Sequence, residues 1–195
     1  TCRECSATYD LGAAYACIEC FGPLEVAYDF GTITRADIEQ GPSSLWRYRA
    51  LLPVRPTAAN EPNLAPGWTR LHKADNLAAE LGMRSLWVKD DSGNPTHSFK
   101  DRVVAVAQSA ARALGLTTLA CASTGNLAHA VAAAAARGGQ DSVVVIPHDL
   151  EAGKTITTAT YGGILLAVEG NYDDVNRLCS EIIGEDFSQT WGFVN

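Results

Sequence analysis

A single lysine lies in the segment best suited to covalent chemistry, residues 93–102, with the sequence GNPTHSFKDR. Ser98 and Asp101 form an S-x-x-D capping signature before an apolar run, so we expect a helix to begin near Ser98. Lys100 then lies in the first turn, where the positive end of the helix dipole disfavours a cation. The same field, together with desolvation, favours an amine that loses its proton and attacks a carbonyl carbon.

A second polar segment follows the lysine at the distance of one strand–helix unit. Residues 118–122 read as a short buried strand, and the sequence STGN at 123–126 then leads into an Ala-rich helix at 127–137. Small hydroxyl residues and a glycine at a helix N-terminus leave backbone N–H groups open to an anion. The same residue types are ordinary helix caps, so the segment becomes informative through its position after the lysine motif.

The lysine segment resembles the cofactor-lysine motif of threonine synthases, which are fold type II (tryptophan-synthase-β-like) pyridoxal-phosphate enzymes. The matching residues are Asn94, Pro95, Thr96, Ser98, Phe99, Lys100, Asp101 and Arg102. The family more often has glycine at the position of His97, whose imidazole could contact the cofactor or simply pack. The resemblance implies that Lys100, Phe99 and Asn126 contact pyridoxal phosphate. It also implies that the substrate carboxylate binds at Ser123, Thr124, Gly125 and Asn126.

A third segment, residues 146–154 with the sequence IPHDLEAGK, resembles the place where the same family binds the substrate's phosphate. The resemblance gives that role to Lys154, which by type alone could equally be a solvated helix lysine. The implied reaction converts O-phospho-L-homoserine and water to L-threonine and phosphate, with Lys100 as covalent anchor, general base and general acid. The alternatives are another fold type II lyase, such as cysteate synthase or threonine dehydratase, and a non-catalytic zinc-binding paralogue.

The N-terminal cysteines have the spacing of metal ligands, because the pattern Cys-x-x-Cys occurs twice, at Cys2, Cys5, Cys17 and Cys20. Four thiolates are what a tetrahedral structural zinc site needs. Disulfides are the alternative, but Cys121 and Cys179 are isolated in apolar surroundings, which favours a reducing compartment and a metal. Residues 1–31 contain one basic residue against five acidic residues, which disfavours nucleic acid as a partner.

An alternating pattern of elements must position these residues from about Ser85 onward. Apolar runs lie at 86–89, 118–122, 143–146, 164–168 and 192–194, and helical stretches lie near 98–114, 127–138, 152–161 and 171–184. The pattern predicts an α/β unit at 85–195 with a parallel sheet and helices on both faces. Ligands of such sheets bind beyond the carboxyl ends of the strands, where Lys100 and residues 123–126 should both lie.

Two smaller units precede the predicted sheet. They are a zinc-ribbon-like unit at 1–31 and a helical connecting region at 32–84, which contains a short amphipathic helix at 43–53 and a helix at 73–82. A hydrophobic content of 47% with 19% charged residues indicates a globular chain, and a net charge of −7 argues against nucleic acid or anionic membrane as a partner. No transmembrane or signal segment is visible. We expect a cytoplasmic enzyme with a small-molecule substrate, and the sequence leaves room for a homo-oligomer.

The chain has the features of part of an enzyme. It lacks an initiator methionine, and it stops at Asn195 where a strand is beginning. A glycine-rich cup for the cofactor phosphate and a partner for the pyridine nitrogen are both expected beyond Asn195, because no convincing candidate for either precedes it.

Overall fold

The computed structural model describes residues 1–12, 14, 16–28, 30–54, 57, 64–184 and 190–194. In these ranges the α-helices are α1 (Arg35–Glu39), α2 (Asp75–Glu80), α3 (Lys100–Ala113), α4 (Asn126–Gly138), α5 (Ala152–Thr160) and α6 (Tyr172–Gly184). The strands are β1 (Arg70–Lys73), β2 (Trp87–Asp90), β3 (Thr118–Ala122), β4 (Asp141–Pro147), β5 (Ile164–Val168) and β6 (Trp191–Phe193). Among these helices, none combines the length and apolar character needed to cross a bilayer.

Four strands form the main sheet in the order β5-β4-β3-β6, and every neighbouring pair is parallel. Consecutive parallel strands need a crossover, and α4 and α5 connect β3 to β4 and β4 to β5. The predicted α/β fold with a parallel sheet is confirmed.

The central strand β3 is apolar on both of its faces because helices cover the sheet on both sides. Successive side chains of a strand point to opposite faces. Leu119 and Cys121 join a core with residues of α3 and α4, whereas Ala120 and Ala122 join a second core with Val175 and Cys179 of α6. Continuous apolar runs are the sequence signal of such doubly covered strands.

One predicted strand of the parallel sheet lies elsewhere. The run at 86–89 forms β2, which pairs antiparallel with β1 in a separate two-stranded ribbon, with Arg70 opposite Asp90 and Lys73 opposite Trp87. Ribbon residues are largely exposed and carry charges, which a central parallel strand covered on both faces would have to bury. Because β1 uses residues up to Lys73, the helix predicted at 73–82 is shortened to α2.

The N-terminal unit contains two similar turns, one at each Cys-x-x-Cys pair. Backbone hydrogen bonds join Ser6 N to Cys2 O at 3.1 Å and Phe21 N to Cys17 O at 2.9 Å. Ser6 and Phe21 both have left-handed backbones, with φ of 62° and 59°. An isolated bridge between Cys2 and Leu24 closes the unit. The amphipathic helix expected at 43–53 is a 3-10 helix, Leu45–Leu51, which begins after Ser44.

Candidate active site

Lys100 is the first residue of α3 and is partly buried. The Ser98 hydroxyl accepts a hydrogen bond from the Lys100 backbone N–H at 3.2 Å, and thereby satisfies one free donor of the first turn. Asp101 reaches back to the N–H and hydroxyl of Thr96, at 2.7 and 2.8 Å, rather than to Ser98. The contact of Ser98 with the first turn was therefore predicted correctly, but the capping role of Asp101 was wrong because its carboxylate binds Thr96. The helix begins at Lys100, two residues after Ser98, with Phe99 at its N-cap.

The Lys100 amine lies beside an aromatic ring. Its Nζ is 5.1 Å from the centre of the Phe99 ring, within the range of a cation–π contact. Phe99 is itself 55% exposed, so one side of this pair is open. The two residues that the resemblance places against the cofactor are thus adjacent in space as well as in sequence.

The packing of α3 on α4 brings Lys100 level with Asn126. Gln108 Nε2 donates to Ala134 O at 2.6 Å and Arg112 donates to Gly138 O at 2.5 Å, and both contacts span 26 residues. A constant offset means that the two helices run in the same direction with equal rise. If the same separation of 26 residues holds along both helices, Lys100 at the start of α3 lies beside Asn126 at the start of α4. The N-termini of the two helices therefore lie next to each other.

The loop between β3 and α4 is open to a ligand. Ser123 Oγ accepts a hydrogen bond from Gly125 N at 3.3 Å, which shapes the turn, and Asn126 begins α4 with its side chain exposed. A Cβ atom added to Gly125 would meet no atom within 4 Å. Thr124 lies between these residues and is partly buried. The first turn of α4 has no side-chain cap, so its backbone N–H groups face unoccupied space, as an anion site requires.

Lys154 lies at the same end of the sheet. It is in the first turn of α5, and its carbonyl oxygen is 3.4 Å from Nε2 of His129, in the first turn of α4. Its amine is half exposed and lies 3.8 Å from Glu151, a distance at which an exposed ion pair contributes little. The structure thus gathers the first turns of α3, α4 and α5, and with them all three predicted segments.

His97 has a left-handed backbone with φ of 59°, a conformation that glycine adopts without strain. Its ring Nδ1 is 2.7 Å from the carbonyl oxygen of Ser92, and the side chain is exposed. The position therefore needs a residue tolerant of positive φ, and the imidazole makes a local loop contact.

Two residues that sequence reasoning missed hold the loop before Lys100. Asp91 accepts a two-point ion pair from Arg102 at 2.7 and 2.8 Å, and Thr69 donates to the same carboxylate at 2.8 Å. Arg102 lowers the pKa of Asp91 to about 2. The ion pair could have been predicted from the sequence, because Asp91 lies just before the lysine motif and Arg102 belongs to it. The contact with Thr69 could not, because Thr69 is too distant in sequence.

The four N-terminal cysteines form one cluster whose sulfur atoms all lie within 4.8 Å of one another. Sγ–Sγ distances of 3.6 Å for Cys2–Cys20 and 3.5 Å for Cys5–Cys17 are too long for disulfide bonds. They are close to the ~3.8 Å edge of a tetrahedron with zinc–sulfur bonds of about 2.3 Å. The cluster therefore fits a zinc ion.

Tyr9 is a further residue of this cluster that the sequence did not reveal. Its hydroxyl lies 3.0 Å from Cys17 Sγ and accepts a hydrogen bond from Ile18 N at 3.2 Å. The hydrogen bond from Tyr9 lowers the pKa of Cys17 to about 6, which favours the thiolate that binds metal.

The chain is similar to several known proteins. Residues 63–195 match the family model described as "Pyridoxal-phosphate dependent enzyme". The chain is 40% identical over 190 residues to threonine synthase of Methanosarcina acetivorans, with 92% of this chain and 46% of that protein covered. It is 35% identical over 189 residues to threonine synthase of Methanocaldococcus jannaschii, with 94% and 46% covered. The chain therefore spans about half the length of these relatives.

A solved structure is similar as well. Diaminopropionate ammonia lyase from Escherichia coli, in its apo form, aligns with a TM-score of 0.54 and 25% identity, over 65% of this chain and 39% of that chain. The part of this chain that aligns therefore has the fold of diaminopropionate ammonia lyase.

Proposed function

The chain belongs to the family of pyridoxal-phosphate dependent enzymes, and from this premise we propose that it is part of a threonine synthase. The reaction is the conversion of O-phospho-L-homoserine and water to L-threonine and phosphate. One observation carries the proposal: the helix first turns that contain Lys100 and Lys154 lie at the same end of the parallel sheet as the loop 123–126. These groups suit a carbonyl cofactor, a carboxylate and a phosphate, respectively.

The residues present fit the cofactor on physical grounds. Lys100 offers a partly buried primary amine, and Gly125 leaves space in front of a helix N-terminus. When bound, pyridoxal phosphate supplies an electron sink for the substrate's reacting carbons. With the cofactor bound, Lys100 would anchor it and would move protons at the α and β carbons of the substrate. Phe99 and Asn126 would contact the cofactor.

The substrate is proposed to lie between the first turns of α4 and α5. Its carboxylate accepts hydrogen bonds from the backbone N–H groups and hydroxyls of 123–126, while Lys154 contacts its phosphate. Threonine dehydratase does not act on a phosphorylated substrate and has no use for a cation at that end, so Lys154 favours threonine synthase. Cysteate synthase would share much of the site and is the second candidate.

We propose that the chain has three parts: a zinc-binding unit at 1–31, a connecting region at 32–84 and an α/β unit at 85–195. The cysteine cluster of the first unit would hold a structural zinc ion. None of the six cysteines forms a disulfide bond, as expected of the reducing cytoplasm that we propose for this protein. A zinc ion held by Cys2, Cys5, Cys17 and Cys20 would stabilise the two turns described above, because metal binding contributes folding free energy.

The deciding experiment is borohydride reduction of the complete protein with its cofactor, followed by peptide mapping with mass spectrometry. We expect the cofactor label on Lys100. A Lys100→Arg variant keeps the charge but cannot be trapped, whereas Lys73→Ala, at an exposed ribbon lysine, should be labelled like wild type. A label on another lysine would refute the assignment of Lys100.

The substrate assignment is tested separately with Lys154→Ala. Loss of a charge-assisted phosphate contact costs on the order of 1.5–3 kcal/mol, or roughly ten- to a hundredfold in affinity. We expect KM for O-phosphohomoserine to rise by that factor, while the affinity for pyridoxal phosphate stays the same. Unchanged KM and kcat would make Lys154 an ordinary surface residue, and wild-type protein that does not turn over O-phosphohomoserine would favour cysteate synthase or another lyase instead.

A further inference from the structure

Three separate segments meet in a polar network beside Lys100. The guanidinium of Arg102 forms a two-point ion pair with Asp91, at 2.8 Å from NH1 to Oδ2 and 2.7 Å from NH2 to Oδ1. Thr69 joins both partners, since its hydroxyl donates to Asp91 Oδ1 at 2.8 Å and accepts from Arg102 NH2 at 3.2 Å. The network therefore links the ribbon, the loop after β2 and the first turn of α3.

The loop between β2 and α3 is fixed at a second point by Asn94, whose exposure is 2%. Its side-chain oxygen accepts from Gly67 N at 2.9 Å, and its amide nitrogen donates to Asp91 O at 3.0 Å. Asp91 is thus held by its backbone as well as by its carboxylate. An ion pair anchored in this way keeps a single geometry more readily than a pair of mobile surface side chains.

The direction of Lys100 depends on the direction of Arg102. Residues two apart in an α-helix project about 200° from one another around the helix axis, because each residue turns the helix by about 100°. Arg102 points toward the end of the ribbon, where Thr69 precedes β1 and Asp91 follows β2. Lys100 must then project from the opposite side of the first turn, away from the ribbon.

We propose that Asp91, Arg102 and Thr69 are positioning residues that fix the rotation of the α3 first turn and thereby aim the amine of Lys100 at the cofactor position. The proposal rests on the proposed function for the identity of the cofactor. The positioning role itself depends only on Lys100 being the reactive lysine. The two-point contact matters because a guanidinium held through both of its terminal nitrogens has one orientation relative to the carboxylate, whereas a single contact leaves the side chain free to swing.

The variants separate geometry from charge. Asp91→Asn removes the ion pair and Asp91→Glu preserves it. Arg102→Lys keeps the positive charge but lacks the planar fork that makes two parallel contacts. Asp75→Asn is the matched control, because Asp75 forms an exposed ion pair with Lys73 at 2.9 Å, which involves neither α3 nor its loop.

Two measurements on the complete protein test the proposal. The first is the rate at which an amine-selective acylating reagent modifies Lys100 without cofactor, divided by the rate at Lys154 in the same sample. The second is the fraction of Lys100 trapped with pyridoxal phosphate by borohydride, as a function of pH. Far-UV and near-UV circular dichroism establish that each variant is folded.

We expect Asp91→Asn and Arg102→Lys to change the Lys100 to Lys154 ratio at least threefold and to reduce trapping about tenfold. Asp91→Glu should recover much of the loss, and Asp75→Asn should behave as wild type. Folded Arg102→Lys protein with wild-type values in both measurements would overturn the proposal, because charge alone would then suffice. Failure to trap wild-type Lys100 would refute the proposed function instead, while the acylation ratio would still test the positioning.

Discussion

At the scale of single residues, Lys100 owes its candidate role to its position. Other lysines of the chain have the same amine, but Lys100 combines a helix first turn, partial burial and an adjacent aromatic ring. Its neighbours in sequence form a frame around it, since Ser98 caps its N–H, Asp101 binds Thr96 and Arg102 binds Asp91. The motif is therefore a local scaffold in which every polar side chain has a contact.

His97 is a non-glycine residue at a positive φ, which should lower the unfolding free energy of the protein. Replacing His97 with glycine or with alanine removes the same imidazole contact to Ser92. Only alanine retains a Cβ at the left-handed φ of 59°, and such a conformation costs an L-residue about 1–2 kcal/mol. We expect the unfolding free energy of His97→Gly to exceed that of His97→Ala by about 1 kcal/mol in urea denaturation. Equal stabilities would show that this backbone is unstrained.

Tyr9 is expected to contribute to zinc affinity through its hydrogen bond to Cys17. Outer partners of metal ligands typically change affinity by 10–100-fold when removed. Tyr9→Phe keeps the ring and removes the donor, so we expect roughly a tenfold weaker zinc affinity in competition with a chelator. Tyr28→Phe is the control within the same unit, because Tyr28 stacks on Phe30. Equal affinities for Tyr9→Phe and wild type would mean that the 3.0 Å contact does not influence the metal.

At the scale of elements, the contact between α3 and α4 determines whether Lys100 and Asn126 face the same ligand. The helices approach closely at their C-terminal ends, where Gly138 lies against Gln108 and Arg112. Gln108 is almost fully buried and bonds both Ala134 and Gln140. The register of the two helices thus depends on a small residue at one end, while the reactive groups lie at the other end.

The Gly138→Ala variant tests this contact. A Cβ at Gly138 would overlap Gln108 Nε2 and come within 2.7 Å of Arg112 NH2, and Gln108 cannot move without losing buried hydrogen bonds. We expect a loss of about 1–3 kcal/mol in unfolding free energy. Gly153→Ala is the control, since a Cβ there meets nothing within 4 Å and alanine favours a helix. A Gly138→Ala protein as stable as the control would show that α3 and α4 separate easily.

At the scale of the whole molecule, the two predicted sites differ in how local they are. The cysteine ligands lie within residues 2–20 and meet through two short turns. The candidate active site instead draws on three first turns, a loop and the ribbon, which are brought together by the sheet and its helices. The chain also covers only 46% of its threonine synthase relatives.

We therefore expect the 195-residue chain to bind one zinc ion and to release no phosphate from O-phosphohomoserine. Thiolate–zinc binding contributes its own folding free energy, so the cluster can form locally. The candidate active site depends on contacts between distant elements, and the chain spans about half the length of its relatives, so we expect added cofactor to be held weakly. Elemental analysis and a phosphate-release assay with added pyridoxal phosphate measure the two properties. Folded protein without zinc would contradict the predicted zinc binding. Turnover like that of the complete enzyme would contradict the predicted lack of phosphate release.

Sequence alone was sufficient wherever the determinants are local. Continuous apolar runs at 118–122 and 143–146 predicted strands covered on both faces, since only apolar side chains can be buried on both sides of a sheet. The S-x-x-D pattern placed a helix start within two residues of the observed one, and the cysteine spacing predicted the cluster. These features depend on neighbours a few residues apart.

Tertiary structure decided the features that depend on distant partners. The run at 86–89 is apolar enough for a strand, but its pairing with Arg70–Lys73, rather than with the parallel sheet, follows from charges and exposure that no short window contains. The contacts of Thr69 with Arg102 and of Tyr9 with Cys17 are likewise set by the folded backbone. The sequence by itself therefore pointed to the candidate reactive residues, whereas only the tertiary structure showed which distant residues contact the segment around Lys100.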